Sequence, residues 1–515
     1  MLLSQIIKDV PLVALEGSLK CEVAGLAHDC RRVRPGMIYV DLPKGGRGCE
    51  EEAINAALDR GAAAVICERN GFMPRRATKI VVRNCREALA RAAAEFHSHP
   101  SRRLRVIGVT GSGNRAVIAF MLKRLLEAGG MRVGIVTSTM HEVADRQLPV
   151  PRQGPEALEV QQLLAQMVRA GCEVCVMEVG SAPLDAERTR GVEFHALVSV
   201  QSPCFPDPYF ASGAHAGTNF GTLELAPGGT RIQVSLEPGT RGRDCGCPAI
   251  TIARDNGMPV TLRATMVDLN SRGTRLSIDA QGRKFVCTLP LWGRANVQSA
   301  IVATGVALAL GVPAGDVRPA LQRITPAPGQ LEAVTAGQPF MVFVDGARDA
   351  TALQSVLMNL RDLVPGRVLL ALGSRGGEDG ERRFHLGQTA AAHADCTLVT
   401  TDSPRRESPS LIAGQIAAGY RALRVDGYGE EPERERAIER LLRAAEPGDA
   451  VLIAGKGHET FQEFADTVVP FDDAGHAREI LEGLGYGKGI NRYELRAASI
   501  NQIRARNAEL AACNT

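Results

Sequence analysis

Val106-Ile-Gly-Val-Thr-Gly-Ser-Gly-Asn-Arg-Ala-Val117 has the build of a β-strand, a glycine-rich loop and the first turn of a helix. Such loops bind phosphate because several backbone N–H groups converge on the anion at a helix N-terminus. A loop that also drives nucleotide chemistry carries a lysine for the outer phosphates and a hydroxyl for Mg²⁺. Arg115 and Ala116 occupy those two places. Arginine keeps the charge on a wide planar fork, and alanine cannot ligate a metal. Gly111, Ser112, Gly113 and Asn114 are therefore expected to form a phosphate cradle, with Arg115 as either an adapted clamp or a lost function.

Other reactive types lie further along. Glu178, near the end of the strand-like run Glu173–Val179, reads as a helix cap or a solvated carboxylate. Asp402-Ser-Pro-Arg-Arg-Glu407 brings charges of both signs together, either a ligand site or only a surface ion pair of Arg405 with Glu407. Ala454-Gly-Lys-Gly-His-Glu459 joins two glycines to three ionisable groups, either a ligand site or a hydrogen-bonded loop. His195, alone beside an apolar strand, and Cys172-Glu-Val-Cys175, inside one, read as structural.

Composition narrows the function classes. Thirteen cysteines, an odd number and several within apolar runs, suit reduced thiols in the cytoplasm rather than a disulfide framework. A net charge of +3 and 4% aromatic residues give no basic, aromatic-studded surface for nucleic acid. Nothing resembles a signal peptide or a membrane span. Only eight of the 60 basic residues are lysines, and none lies between Lys123 and Lys284.

The elements that must position these residues read as three α/β domains. Residues 1–99 alternate strands (Met37–Leu42, Ala63–Cys67, Lys79–Val82) with helices (Glu51–Ala57, Glu87–His97). Residues 100–327 open with the strand, the loop and a helix at Arg115–Ala128. Buried strands at Arg132–Thr137, Glu173–Val179 and Ala196–Val200 follow, predicting a parallel doubly wound sheet with P-loop-type connectivity. Hairpins between Met258 and Leu291 and a helix at Ala295–Leu310 complete that domain. Residues 328–486, after the Pro-Ala-Pro-Gly run, repeat the alternation with strands at Met341–Val344, Arg367–Leu372, Cys396–Thr400 and Ala450–Ala454, a Rossmann-like pattern. The tail 487–515 shows no strand pattern and a helical stretch at Tyr493–Ala512.

With these motifs placed, the chain resembles the Mur ligases, most closely the UDP-N-acetylmuramoyl-tripeptide synthetase branch. Asp29-Cys-Arg-Arg resembles the family's Ser-Asp-Ser-Arg segment, implying Asp29 and Arg31 in a uridine-nucleotide site, with His28 at the serine position. Met177-Glu178-Val179 resembles the segment whose glutamate binds Mg²⁺. Asn296, Asp345 and Arg348 fall at nucleotide-handling positions. Asp402, Ser403, Pro404, Arg405 and Glu407 resemble the box that receives diaminopimelate, while Arg383, Gly455 and Glu459 fall on further amino-acid-binding positions. The family's loop Lys and Thr are Arg115 and Ala116, its metal-site lysine has no counterpart, and its Thr-Thr-Pro is Gln153-Gly-Pro155.

The resemblance implies the three-domain Mur architecture, ATP and Mg²⁺ as cofactors if ligation occurs, and a UDP-sugar peptide as ligand. Two readings follow. One is a homologue with impaired or lost ATP-dependent ligation, needing no cofactor and accessory to peptidoglycan precursor synthesis, with a conventional Mur ligase or other cell-wall enzyme as partner. The other is an active ligase adding diaminopimelate or another amino acid to a UDP-N-acetylmuramoyl-dipeptide or related peptide.

Overall fold

The computed structural model describes residues 1–43, 51–68, 77–111, 114–148, 150, 154–180, 187–201, 223–236, 250–254, 260–270, 273–280 and 282–487. Ser112, Gly113, Gln153 and the expected helix at 493–512 lie outside the described residues. The described residues form two compact units: those within 1–264, 278–285 and 299–321, and those within 265–277, 286–298 and 322–487.

The first unit begins with α1 (Leu3–Ile6), β1 (Leu12–Glu16), β2 (Gly25–Ala27), β3 (Met37–Val40), α2 (Glu51–Asp59), β4 (Ala64–Cys67), β5 (Thr78–Val82) and α3 (Cys85–Phe96). These strands form a five-stranded sheet, β1-β5-β4-β3-β2, parallel except for β1. Val40, Ala64, Ile66 and Ile80 pack on one face and Tyr39, Val65 and Val81 on the other, which is why these strands read as continuous apolar runs. β1 and β2 escaped the sequence reading: β1 is half exposed at the sheet edge, and β2 is three residues long. Asn84 starts α3 by accepting from the backbone N–H groups of Arg86 and Glu87.

Next come β6 (Arg105–Gly111), α4 (Arg115–Ala128), β7 (Val133–Val136), β8 (His141–Val143), β9 (Arg146–Leu148), α5 (Ala157–Arg169), β10 (Val174–Glu178), β11 (Phe194–Gln201), β12 (Leu225–Leu236), β13 (Ile250–Arg254), β14 (Val260–Asn270), β15 (Gly273–Ala280) and β16 (Arg283–Leu289). They order as β16-β15-β14-β13-β12-β11-β6-β10-β7-β8-β9. The inner strands β11, β6, β10 and β7 are mutually parallel, as the alternation with helices predicts, the β12–β13 and β13–β14 pairings are antiparallel, and β14, β15 and β16, the strands of the expected hairpins, lie side by side in the sheet.

The chain continues through α6 (Arg294–Ala309), α7 (Ala314–Arg323), β17 (Glu332–Ala333), β18 (Met341–Asp345), α8 (Ala350–Leu363), β19 (Val368–Leu372), α9 (Gly380–His393), β20 (Cys396–Val399), α10 (Pro409–Arg421), β21 (Tyr428–Glu430), α11 (Arg434–Ala444), β22 (Ala450–Ala454), β23 (Phe461–Phe464), β24 (Thr467–Pro470) and α12 (Asp473–Gly483). The second unit's sheet runs β17-β18-β22-β19-β20-β21, parallel from β18 onward. Side chains of α8, α9 and α10, among them Leu353, Leu386 and Ile416, cover one face. Those of α11 and α12, among them Ile438 and Leu481, cover the other. Asp349, Asp379 and Asp472 cap α8, α9 and α12 through their side chains. Among the described residues, no helix is long and apolar enough to cross a membrane.

Candidate functional site

In the first unit the site grows from adjacent parallel strand ends. Met177 pairs with Val136 across β10 and β7, so Glu178 and Ser138, just beyond them, come side by side. Glu178 Oε2 accepts from the Ser138 backbone N–H at 2.8 Å and from its hydroxyl at 2.7 Å. The other oxygen, Oε1, lies 3.4 Å from Arg115 Nε. Arg115 Nη1 donates to the Gly111 carbonyl at 2.8 Å, so the guanidinium curls back from the first turn of α4 to bridge the end of β6 and Glu178. Both residues are largely shielded, with 24% and 12% of their side chains exposed. They line a cavity of about 370 Å³ together with Ser138, Pro155, Arg188 and Thr189.

Gly111 fixes the turn out of β6. Its φ is +104°, and a Cβ there would sit 2.1 Å from the Val200 carbonyl oxygen. Asn114 caps α4 by accepting from the Val117 N–H at 3.5 Å. Beside the cavity-lining Arg188, polar contacts tie the start of α3 to this region: Glu156 accepts from Arg86 at 3.0 Å and from Arg188 at 3.2 Å, and Asn84 donates to Glu187 at 2.7 Å. His28 meets Glu159 at 2.8 Å. That hydrogen bond raises the His28 pKa against the opposing effect of burial.

These residues do not fit Mg²⁺. The ion needs oxygen ligands at near-octahedral positions, and Glu178 already spends one oxygen on Ser138 and faces a fixed cation with the other. Among the described residues no group of three or more His, Cys, Asp or Glu side chains could hold a metal.

In the second unit α8 to α10 lie on one face and α11 and α12 on the other, so the chain leaves the ends of neighbouring β19 and β22 toward opposite faces. A crevice at strand carboxyl ends, where the winding reverses, is where open α/β sheets bind ligands. Gly455 opens the turn after β22 with φ +110°, and a Cβ on it would come 3.3 Å from both Asp402 Oδ2 and the Gly373 carbonyl. Asp402 is 1% exposed, and among the described residues neither carboxylate oxygen has a hydrogen-bond partner. Its charge opposes the effect of burial on Lys456, whose pKa is nevertheless lowered, chiefly by burial.

Glu459 accepts from two arginines, Arg348 at 2.9 Å and Arg375 more closely still. Burial works against its ionisation, but Arg375 and Arg348 outweigh that and hold its carboxyl below the usual range. Arg348 also donates to the Gly455 carbonyl at 2.7 Å and the Lys456 carbonyl at 3.2 Å, so it straps the turn shut. Burial lowers the His458 pKa and keeps the imidazole neutral at physiological pH.

The alternative reading of Arg405 and Glu407 as an ion pair with each other is not what forms. Arg405 Nε instead reaches Glu463 on β23 at 3.1 Å, and Glu407 is gripped by Arg383. Ser403 accepts from the Glu463 N–H at 3.3 Å, and the Pro404 carbonyl lies where a Cβ on Gly376 would clash, so the box is pinned between the β23 hairpin and the loop after β19. Asp345, buried, accepts from the Leu331 and Ala347 N–H groups, and burial pushes its pKa up to about 6. Asn296 donates to the Trp292 and Gln330 carbonyls. Both thus hold the 327–331 turn.

Asp29 caps a helical turn and pairs with the exposed Arg31 at 2.9 Å, and that hydrogen bond lowers its pKa to about 2. His195 Nδ1 accepts from the Val106 N–H at 3.3 Å, and Cys172 and Cys175 are buried, in keeping with structural roles.

Ser138, Arg188 and Arg375 were missed in the sequence. Ser138 and Arg375 follow parallel strands by two or three residues, a position that strand-end reasoning favours for ligand contact. Arg188 carries no comparable signal.

Two family descriptions match the chain: Mur ligase middle domain over residues 109–200, and Mur ligase, glutamate ligase domain over residues 330–457. A UDP-N-acetylmuramoyl-L-alanyl-D-glutamate--2,6-diaminopimelate ligase of Solibacter usitatus is 33% identical, covering 90% of this chain and 94% of its own. A UDP-N-acetylmuramyl-tripeptide synthetase of Roseiflexus sp. is 34% identical over 90% and 96%. A solved structure of a UDP-N-acetylmuramoyl-L-alanyl-D-glutamate--2,6-diaminopimelate ligase aligns over 94% of this chain and 99% of its own, with TM-score 0.59 and 22% identity. The multidomain α/β architecture of that structure is the fold seen here.

Proposed function

The chain belongs to the Mur ligase family, and we propose that it serves peptidoglycan precursor synthesis as a binding or accessory member whose ATP-dependent ligation is lost or strongly reduced. The observation that carries this reading is the Arg115–Glu178 contact at 3.4 Å. Forming an amide through an acyl phosphate requires positive charge to gather on the transferring phosphoryl group. Here the loop's cation is turned toward an internal carboxylate, and Ala116 offers no hydroxyl. Each preorganised stabilising group removed costs about 2.7–4 kcal/mol of transition-state stabilisation. The loop lysine, the loop threonine and the metal-site lysine are all missing, although such losses do not add simply.

The ligand classes of this reading are a UDP-sugar peptide, with Asp29 and Arg31 toward the uridine end, and a diaminopimelate-like amino acid. The amino-acid group comprises Arg383, Asp402, Ser403, Pro404, Arg405, Glu407, Gly455 and Glu459. The proposed domain limits are 1–99, 100–327 and 328–486. The proposed setting is the cytoplasm, with a conventional Mur ligase or another cell-wall enzyme as partner.

A second reading, an active ligase, is favoured by the cavity of about 370 Å³ beside Arg115 and Glu178. In that case Arg115 clamps phosphate and Gly111 to Asn114, Asn296, Asp345 and Arg348 serve ATP. Incubation with ATP, Mg²⁺, a UDP-N-acetylmuramoyl-dipeptide and diaminopimelate separates the two. The first reading expects dipeptide binding by calorimetry without phosphate release. Phosphate release coupled to a new amide, seen by mass spectrometry, would falsify it.

A further inference from the structure

We propose that the Arg115 guanidinium is the resident counter-ion of Glu178 and excludes divalent cations from the central cavity. The inference rests on the reading above and concerns the same site. A carboxylate at the end of a buried parallel strand needs compensation, and three sources supply it here. The Ser138 N–H and hydroxyl satisfy Oε2 at 2.8 and 2.7 Å, and the arginine faces Oε1 at 3.4 Å.

The arginine is held there by a second anchor. Its Nη1 donates to the Gly111 carbonyl at 2.8 Å, so the planar fork spans strand end and carboxylate at once. A lysine ammonium, a single compact donor head on a flexible stem, has no second arm to keep it in that place. The backbone beneath is equally fixed, because the left-handed Gly111 is packed against Val200. A metal binding Glu178 would have to displace an anchored cation, and the hydroxyl oxygens of the described lining residues, Ser138, Thr137 and Thr189, bring no charge to compensate. The cavity thus carries its charge balance within the chain, and whatever anion enters it meets arginine rather than a metal.

The test uses the full chain without nucleotide and Mn²⁺ as the probe, read by electron paramagnetic resonance and calorimetry. Wild type and E178Q are expected to bind Mn²⁺ alike, with no site attributable to the carboxylate. R115A, shown folded by thermal melting, is expected to gain a Mn²⁺ site about tenfold tighter than any in wild type, and R115A/E178Q to lose it. A wild-type Mn²⁺ site abolished by E178Q overturns the proposal. So does an R115A protein that gains none, because the arginine would then not be the excluding group. Amide formation in the ligation assay would sink the functional reading, whereas this measurement reads the ion pair alone.

Discussion

Arg383 and Glu407 are joined at two points: Nη1 donates to Oε1 at 2.6 Å and Nη2 to Oε2 at 2.8 Å. The arginine is fully buried on α9 and also donates to Gln415 at 2.8 Å and to the Arg375 carbonyl. The pair therefore ties the motif loop after β20 to the helix that follows β19. Removing one partner of such a pair strands a buried charge, so Glu407→Gln is expected to cost about 3–5 kcal/mol. Arg383, followed by the Gly377 N–H, holds the Glu407 carboxyl at about 2, below its ordinary 4.5. A depressed carboxylate contributes stability that is present above the ordinary value and lost as pH falls toward the folded one. Thermal melting of wild type should drop more steeply than that of the variant between about pH 4.5 and about pH 2.

Asp345 behaves in the opposite sense. Burial raises its pKa from 3.8 to about 6, although two backbone N–H groups favour the charged form. The folded state then binds the proton more tightly than the unfolded one, so this residue's contribution falls as pH rises through that interval. The full span is about 3 kcal/mol at one pKa unit per 1.36 kcal/mol. Asp345→Ser should flatten the melting curve over that range, and an unchanged pH profile would remove the assignment.

His28 and Glu159 make a third pH-dependent contact, between the N-terminal sheet and α5. The hydrogen bond that His28 donates to Glu159 raises the His28 pKa, Glu156 adds to it, and burial and Arg32 oppose. Its stabilisation is present below the ordinary value of 6.5 and lost as pH rises through the folded value. His28→Gln should cost about 1 kcal/mol or less near pH 6 and nothing near pH 9. Equal losses at both would point to packing rather than charge.

Two left-handed glycines give a matched comparison. Gly337, with φ +84°, has nothing within 4 Å of an added Cβ, whereas on Gly329, with φ +67°, the Cβ would lie 2.1 Å from the His458 nitrogen. Gly337→Ala should cost about 1–2 kcal/mol, the backbone term alone. Gly329→Ala should cost more and loosen the turn at residues 455–459, read as faster amide exchange there.

The sequence made the inner strands and their helices legible because they are apolar on both faces and punctuated by glycine and asparagine. Helix α4 and strand β22 have the limits that pattern and cap predict. The hairpin β23–β24 was not foreseen: its strands are short and β24 is exposed throughout. That hairpin is also why Arg405 and Glu407 do not pair with each other. Neighbours two apart in a loop look like partners, but Glu463 arrives from 58 residues away and takes the arginine. Glu178 was found from its strand end, whereas its engagement with Ser138 depends on the β7–β10 register, which spacing along the chain does not encode.

Restoring the two loop residues would separate missing side chains from an unsuitable backbone. The exit of β6 is set by Gly111 packed on Val200, not by residues 115 and 116, so it should survive their replacement. Arg115→Lys removes the fork that bridges the Gly111 carbonyl and Glu178, and Ala116→Thr adds the hydroxyl that a loop of this kind gives to Mg²⁺. Together they should confer Mg²⁺-dependent stabilisation by ATP, worth about 2.7 kcal/mol when the nucleotide stands at a hundred times its Kd. Wild type should show no difference between Mg²⁺ and a chelator. If the double variant also responds identically in both, the obstacle lies in the loop backbone, and the two side chains are not what sets the nucleotide chemistry of this domain.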